Sequence, residues 1–261
     1  MTRRPRCVRS SSGGSSSTGA DTLVLLGDLL NDWWMTAPEE TAAFAALAEA
    51  IDAWRAAGVT VHVLPGNHDL IYMMPQDSPE AHRMRACSPG YLPGAHRAVH
   101  DLLRALDPRI AFGLTLPGGV PLLCTHAGLT AGWIRWSARV PGTPAPADAP
   151  SIAAWLDEGF AARPMAFAER VGTARYGGHR TGISPVWADR GELVADPAPG
   201  IVQVVGHTPV RTVTRHGGDL WFCDTMSTLR TGAPIGDGSM LHLDIGSGRF
   251  TAITAESTPL P

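Results

Sequence analysis

No apolar run in the 261-residue chain approaches the roughly 18 residues that would read as a membrane span. The opening stretch "MTRRPRCVRSSSGGSSSTGA" carries arginines but has no apolar core segment, so it does not read as a secretory signal. Only four cysteines are present (Cys7, Cys87, Cys124, Cys223), far apart and without metal-type spacing. That fits a reducing compartment better than a disulfide framework. There is no excess of basic charge either. The formal net charge of -3 argues against a general nucleic-acid or membrane surface, so charge on a substrate must be met locally. No internal repeat is visible. A soluble, cytoplasmic protein is expected.

What is present is a composition, 44% hydrophobic and 17% charged, able to bury the core of one large domain. Residues 1–19, Arg-rich and then Ser/Gly-rich, are expected to form a disordered tail, with the domain occupying residues 20–261. "TLVLLGD" reads as a buried strand ending at a Gly-Asp pair. "PEETAAFAALAEAIDAWRAAG" has helical periodicity with acidic residues first and glycine last, and "VTVHVLPGN" is a second strand. Strand, helix, strand predicts a parallel pair and an α/β fold. Residues 71–93 read as irregular, and "GAHRAVHDLLRALDP" reads as a helix. "RIAFGLTL" and "VPLLCTH" read as a hairpin. Residues from about 130 to 198 show few strand signals and are expected to be a helical and loop insertion capping one face of the sheet. "GIVQVVGH" restores the strand pattern, and two hairpins close the chain at Gly-Gly and Gly-Ser-Gly turns.

Four of these apolar strands stop at side chains able to bind a metal: Asp28 after "LVLLG", Asn67 after "HVLPG", His126 after "PLLCT" and His207 after "VQVVG". Each alone has an ordinary explanation as a cap, a turn residue or a buried histidine. Together they form a carboxylate, an amide oxygen and two imidazoles, a donor set suited to Mn, Fe or Zn rather than Ca or Mg. In α/β folds the crevice at the carboxyl ends of the strands is the usual ligand site.

The blocks "GDLLND", "GNHD", "THAGL" and "VVGHTPV" resemble the successive motifs of the calcineurin-like metallophosphoesterases, over residues 20 to about 246. The segment after "GNHD", the "PVWADR" stretch and the "GHTPV...CDTMS" ending are most similar to the branch of phosphoprotein phosphatases, diadenosine tetraphosphatases and Shewanella-like phosphatases. The resemblance implies a β-sandwich of two mixed sheets flanked by helices. It implies that Asp28 bridges two metals, that Asn67, His126 and His207 complete the second metal's ligands, that His68 is the general acid, and that Asp69 orients its loop. Mn is the expected metal, with Fe or Zn as alternatives. The implied reaction is hydrolysis of a phosphate ester by in-line attack of a metal-activated hydroxide. The substrate would be a phosphomonoester, phosphoprotein or dinucleoside polyphosphate. Arg190 in "PVWADR", with Arg180 behind it, is the candidate for forking onto phosphate oxygens. Trp133 and Trp136 could stack a nucleobase, but their helical spacing favours packing.

The sequence departs from this family at the start. The family's first strand, ending in Asp-x-His and supplying ligands of the first metal, is missing, and no histidine precedes His62. Asp21 is separated from Asp28 by seven extended residues, roughly 20 Å, and cannot substitute. Pro209 stands where many relatives keep another metal histidine. Asn31 and Asp32 stand where phosphoprotein phosphatases carry a supporting Asp and a phosphate-binding Arg. The second metal site is therefore expected to be complete and the first doubtful. A truncated or misassigned start is the favoured reading of that gap, with an uncovered ladder beside "TLVLL" as its consequence. The alternative function is a catalytically impaired, single-metal binding or regulatory protein.

Overall fold

A computed structural model describes residues 20–30, 33–139 and 145–254, and the backbone of 7–11. The strands are β1 (Cys7–Ser11), β2 (Thr22–Leu25), β3 (Thr60–Val63), β4 (Ala111–Leu116), β5 (Val120–Thr125), β6 (Val202–Pro209), β7 (Thr214–His216), β8 (Leu220–Asp224), β9 (Met240–Asp244) and β10 (Arg249–Ile253). They form two mixed five-stranded sheets, in the orders β10-β9-β1-β2-β3 and β4-β5-β6-β8-β7. The helices are α1 (Ala37–Ala56), α2 (Leu70–Met73), α3 (Pro79–Met84), α4 (His96–Ala105), α5 (Ala131–Ser137), α6 (Ala149–Ala162), α7 (Pro164–Glu169) and α8 (Arg190–Ala195).

The apolar runs are long because the central strands are buried on both faces. In β2 and the residue after it, Val24 and Leu26 point into one cluster shared with Leu122, Val204 and Leu241 of both sheets, the sandwich interior. Leu23 and Leu25 point the other way, into a second cluster with Phe44 and Ile51 of α1 and Val99 and Leu103 of α4. Alternation along a strand thus serves two cores, which is why no polar residue interrupts it. The predicted parallel pair is β2 with β3, in register Leu23↔Val61 and Leu25↔Val63, with α1 between them in sequence. At the start of α1 the Thr36 backbone N–H donates to Glu39 Oε2 at 2.8 Å, and the helix stops at Ala57 before Gly58, whose φ is +88°.

Two expectations are corrected. Cys7–Ser11, assigned to a disordered tail, pairs antiparallel with β2 and parallel with β9. Strand pairing uses backbone groups that every residue carries, so a Ser/Arg-rich composition does not prevent it, and the ladder beside β2 is thereby covered. β1 contains neither Asp nor His. The rest of the expected tail, 1–6 and 12–19, lies outside the described residues, as do Asn31 and Asp32. Residues 71–93, expected to be irregular, contain α3 and most of α2. Ser78 caps α3 by accepting from Ala81 N at 3.1 Å with Pro79 in its first turn, a start signal hidden in a Met- and Pro-rich context.

The hairpins form as read: β4 with β5, β7 with β8 and β9 with β10 are antiparallel. Between 130 and 198 the described residues form helices α5–α8 without a named strand. A methyl group added to Gly113 of β4 would run into the Ala149 carbonyl, so the start of α6 lies directly on that strand.

Candidate active site

The four strand-end residues converge. His126 follows β5 directly, Asp28 and Asn67 end the loops after β2 and β3, and His207 lies within β6. There the β6–β8 register breaks between Val205 and Pro209, and His207 adopts a φ of +62°. Such a bulge re-aims a side chain that the regular pleat would have sent elsewhere. Asp28 is also left-handed, at φ +52°.

Two glycines allow the loops to meet. A Cβ on Gly27 would strike the backbone of Gly66, and a Cβ on Gly66 would strike both the backbone nitrogen and the carboxylate of Asp28. The "GD" and "GN" glycines are therefore contact points where any side chain would separate the ligands. Asp69 ties the same two loops from beneath: its carboxylate accepts from Gly66 N at 2.7 Å and from Leu29 N at 3.0 Å. Asp69 is fully buried, and burial together with the nearby Asp28 charge pushes its carboxyl up to about 7, against the pull of those two amides.

The donor atoms have a defined polarity. His126 Nδ1 lies 2.6 Å from the Leu26 carbonyl oxygen, which can only accept, so Nδ1 carries the proton. In the neutral ring Nε2 is then a lone pair. It faces Asn67 Oδ1 at 3.1 Å, His207 Nδ1 at 3.0 Å and Asp28 Oδ1 at 3.3 Å. Ligand atoms of Asp28, His126 and His207 all lie within 4.8 Å of one another. A carboxylate and an amide oxygen have no hydrogen to offer, and with Nδ1 of His207 as its deprotonated nitrogen the four atoms form a cluster of lone pairs that a cation at its centre would satisfy. The residues fit a divalent transition metal, with the Leu26 carbonyl fixing the tautomer of His126. Among the described residues this is the group of three metal-competent side chains that the fold assembles.

Above the cluster opens a cavity of about 730 Å³. Asp28, Asn67, His68 and His207 line its floor, and Trp33, Trp34, Arg175, Tyr176, Leu229 and Arg230 line its walls and rim. His68 donates its backbone N–H to Asp28 Oδ1 at 3.2 Å while its ring borders the cavity. Of the five non-glycine residues with positive φ among the described residues, four (Asp28, Trp34, Tyr176 and His207) line this one cavity, the exception being Asp107. Strain of this kind, about 1–3 kcal/mol per residue, collects at functional sites.

The two expected phosphate-binding arginines lie elsewhere. Arg190 opens α8 with its guanidinium 5.1 Å over the Phe222 ring, and it does not line the cavity. Arg180 borders a separate 230 Å³ pocket with Glu192 and Asp196. Both sit in the helical segment, whose turns the residue pattern alone does not orient. Arg175 reaches the cavity instead, held by Asp189 at 3.1 Å and by Thr208 Oγ1 at 3.2 Å. Its neighbourhood, "TARYGGH", carries no recognisable signal. Trp133 is a core residue, 2% exposed, with its ring 4.9 Å from both Trp136 and Phe167, in keeping with the packing its spacing favours.

A family model described as calcineurin-like phosphoesterase matches residues 11–235. The chain belongs to the calcineurin-like phosphoesterase family, whose members are metal-dependent hydrolases of phosphate esters. Among solved structures it is similar to a point mutant of a cold-active protein tyrosine phosphatase, at 14% identity and a TM-score of 0.48, covering 96% of this chain and 81% of that one. It is also similar to a cold-active protein tyrosine phosphatase of a psychrophilic Shewanella species, at 14% identity and a TM-score of 0.43, covering 96% and 81%. A hypothetical protein from Pyrococcus horikoshii OT3 is similar at 11% identity and a TM-score of 0.41, covering 95% and 87%. No curated protein matches the chain. Family membership rests on the family match and on the site geometry.

Proposed function

We propose that the cavity hydrolyses a phosphate ester in the cytoplasm with a manganese ion held by Asp28, Asn67, His126 and His207. The observation that carries this is the convergence of four lone-pair donors on one point, with His126 locked in the ligating tautomer by the Leu26 carbonyl. When bound, the ion supplies Lewis-acid polarisation of a phosphoryl oxygen and activation of a water. The protein's own side chains do the rest. His68, at the floor and beside Asp28, donates a proton to the departing oxygen. Asp69 holds the two ligand loops together. Arg175, rather than Arg190 or Arg180, takes the role of binding phosphate oxygens from the wall. The buried thiol of Cys124 suits a reducing compartment. No described helix is long and apolar enough to cross a membrane.

A second reading is favoured by one observation: a single three-residue metal-competent group among the described residues, with Pro209 at the cavity where another ligand would stand. On that reading the chain binds one ion and serves a regulatory role. Manganese titration by calorimetry, paired with hydrolysis of 4-nitrophenyl phosphate, separates the two. We expect manganese binding and turnover that His126→Ala reduces to background. Binding of one equivalent without turnover would leave the second reading, and unaltered binding in His126→Ala would remove both.

A further inference from the structure

Large exposed apolar side chains are unevenly placed on this protein. Among the described residues they are Trp33, Trp34, Val120, Tyr176 and Leu229, and all except Val120, at the β4–β5 turn, line the cavity above the candidate metal centre. Trp34 is 80% exposed and Tyr176 fully so. Scattered surface apolar side chains need no explanation, but three aromatics and a leucine lining one cavity form an apolar patch of the kind that marks a binding surface.

The rim is held in place. Trp33 donates its indole N–H to the Thr228 carbonyl at 3.0 Å, and Trp34 donates its own to the Arg230 carbonyl at 2.8 Å. The Arg230 guanidinium lies 5.0 Å over the Trp33 ring. Arg230 takes a face of Trp33, whereas the bond of Trp34 engages only its indole edge and leaves that 80%-exposed ring as the surface on offer. Trp34 and Tyr176 both hold left-handed backbone conformations, at φ +66° and +64°. A strained, exposed Trp34 pinned by its indole N–H, with the strained and fully exposed Tyr176 lining the same cavity, indicates a surface presented to a flat ring.

The cavity size narrows the ligand. A bare phosphate would occupy a small part of about 730 Å³, a volume in the range that encloses a drug-sized molecule. Of its lining residues Asp28 is 8% exposed and Trp34 80%, so the donor cluster is buried while the aromatic rim faces solvent. A ring bonded to phosphorus through the ester oxygen would stay near the floor. To lie on the rim it must be carried on a spacer of several bonds. Arg175, paired with Asp189, and Arg230 also line the cavity and present guanidinium groups to an anionic ligand.

We infer that the Trp33–Trp34–Tyr176 rim is a stacking subsite for a nucleoside phosphate, the base lying on the rim while the phosphate reaches the Asp28–His126–His207 floor. This rests on the phosphoesterase reading for the phosphate and on the rim alone for the base. The test is calorimetric binding to the manganese-loaded 261-residue protein of five probes: adenosine 5′-monophosphate, adenosine, phenyl phosphate, glycerol 3-phosphate and inorganic phosphate. Adenosine monophosphate is expected to bind about ten-fold or more tighter than glycerol 3-phosphate, the scale of one base–aromatic stack. Trp34→Ala is expected to remove that preference and Trp34→Phe to restore most of it, with inorganic phosphate affinity moving less than about two-fold. Equal binding of the nucleotide and glycerol phosphate would overturn the subsite, as would an equal loss for all probes in Trp34→Ala. Phenyl phosphate matching the nucleotide, and losing affinity alongside it, would overturn the spacer and place the ring at the floor. If inorganic phosphate fails to bind while adenosine binds and depends on Trp34, the rim stands and the phosphoesterase reading falls.

Discussion

At the floor of the cavity Gly27 and Gly66 bring two loops into backbone contact, whereas at the rim two indole N–H groups reach across to the carbonyls of residues 228 and 230. The floor is held redundantly. Buried Asp69 accepts from both loops, the Leu26 carbonyl orients His126, and Gly206 N donates to the His126 carbonyl at 2.8 Å. The rim is held by few bonds at exposed side chains, each worth about 0.5–1.5 kcal/mol net. The contrast assigns different tasks: metal geometry tolerates little displacement, while a stacking surface works over a range of ring positions. Floor substitutions should therefore disturb folding and metal affinity together, and rim substitutions should change ligand preference alone.

The largest effect expected is at Gly66. In Gly66→Ala the new methyl has no space between the Asp28 backbone and carboxylate, so the loops must part. A loss of about 1–3 kcal/mol in stability is expected, with weakened manganese binding. Gly178→Ala is the control, because a Cβ there meets nothing within 4 Å, and it should stay within about 0.5 kcal/mol. Thermal unfolding with and without manganese reads both. A Gly66→Ala protein that unfolds at the parent midpoint and keeps its metal would show that the floor is not over-determined.

The same contrast explains what the sequence discloses. Floor residues are legible because each is a rare type at a structurally marked place: a continuous apolar run states a two-sided buried strand, and Asp28, Asn67, His126 and His207 interrupt or end such runs. Their convergence follows once β2 pairs with β3 and β5 with β6, since parallel neighbours bring their carboxyl ends together. Rim residues carry no such mark. Trp33 is 195 residues from the carbonyl that fixes it, a relation that periodicity cannot encode. Trp133 and Trp136 do stand at a marked, helical spacing, and the structure packs them together. Which arginines border the cavity is hidden for a similar reason. Arg190 is near a family-like block yet turns onto Phe222, while Arg175 enters from a short turn with no motif around it. Cys7–Ser11 shows the limit of composition, because backbone pairing does not depend on it.

Arg175 and Arg190 allow an intermediate test on the wall between floor and rim. Arg175→Ala removes a guanidinium that lines the cavity, and a roughly ten-fold rise in KM for 4-nitrophenyl phosphate is expected with little change in the unfolding midpoint. Arg190→Ala removes a cation stacked on Phe222. It should lose about 0.5–1 kcal/mol of stability with KM within about two-fold of the parent. If the KM effect follows Arg190 instead, phosphate binds from the α8 side and the wall has been read from the wrong face.

The smallest effect concerns the support behind that wall. Pro89, Gly90 and Leu92 border the cavity, and behind them the buried His96 lies 2.9 Å from the Tyr91 hydroxyl and 2.8 Å from the Met74 carbonyl. The carbonyl accepts, so Nε2 carries the hydrogen and Nδ1 accepts from Tyr91 in the neutral ring. Burial holds the His96 pKa below its ordinary 6.5, reinforced by His100 and Arg85 and opposed by the Met74 carbonyl and Asp77. The unfolded chain therefore binds a proton more readily than the folded one, and stability falls as pH drops below about 6.5. The contribution is intact above that value, and its slope cannot exceed one proton, about 1.4 kcal/mol per pH unit. In His96→Gln, urea unfolding between pH 7 and 5 should show a shallower decline than in the parent. Parallel declines would place the acid sensitivity in other groups and leave the wall without a titrating support.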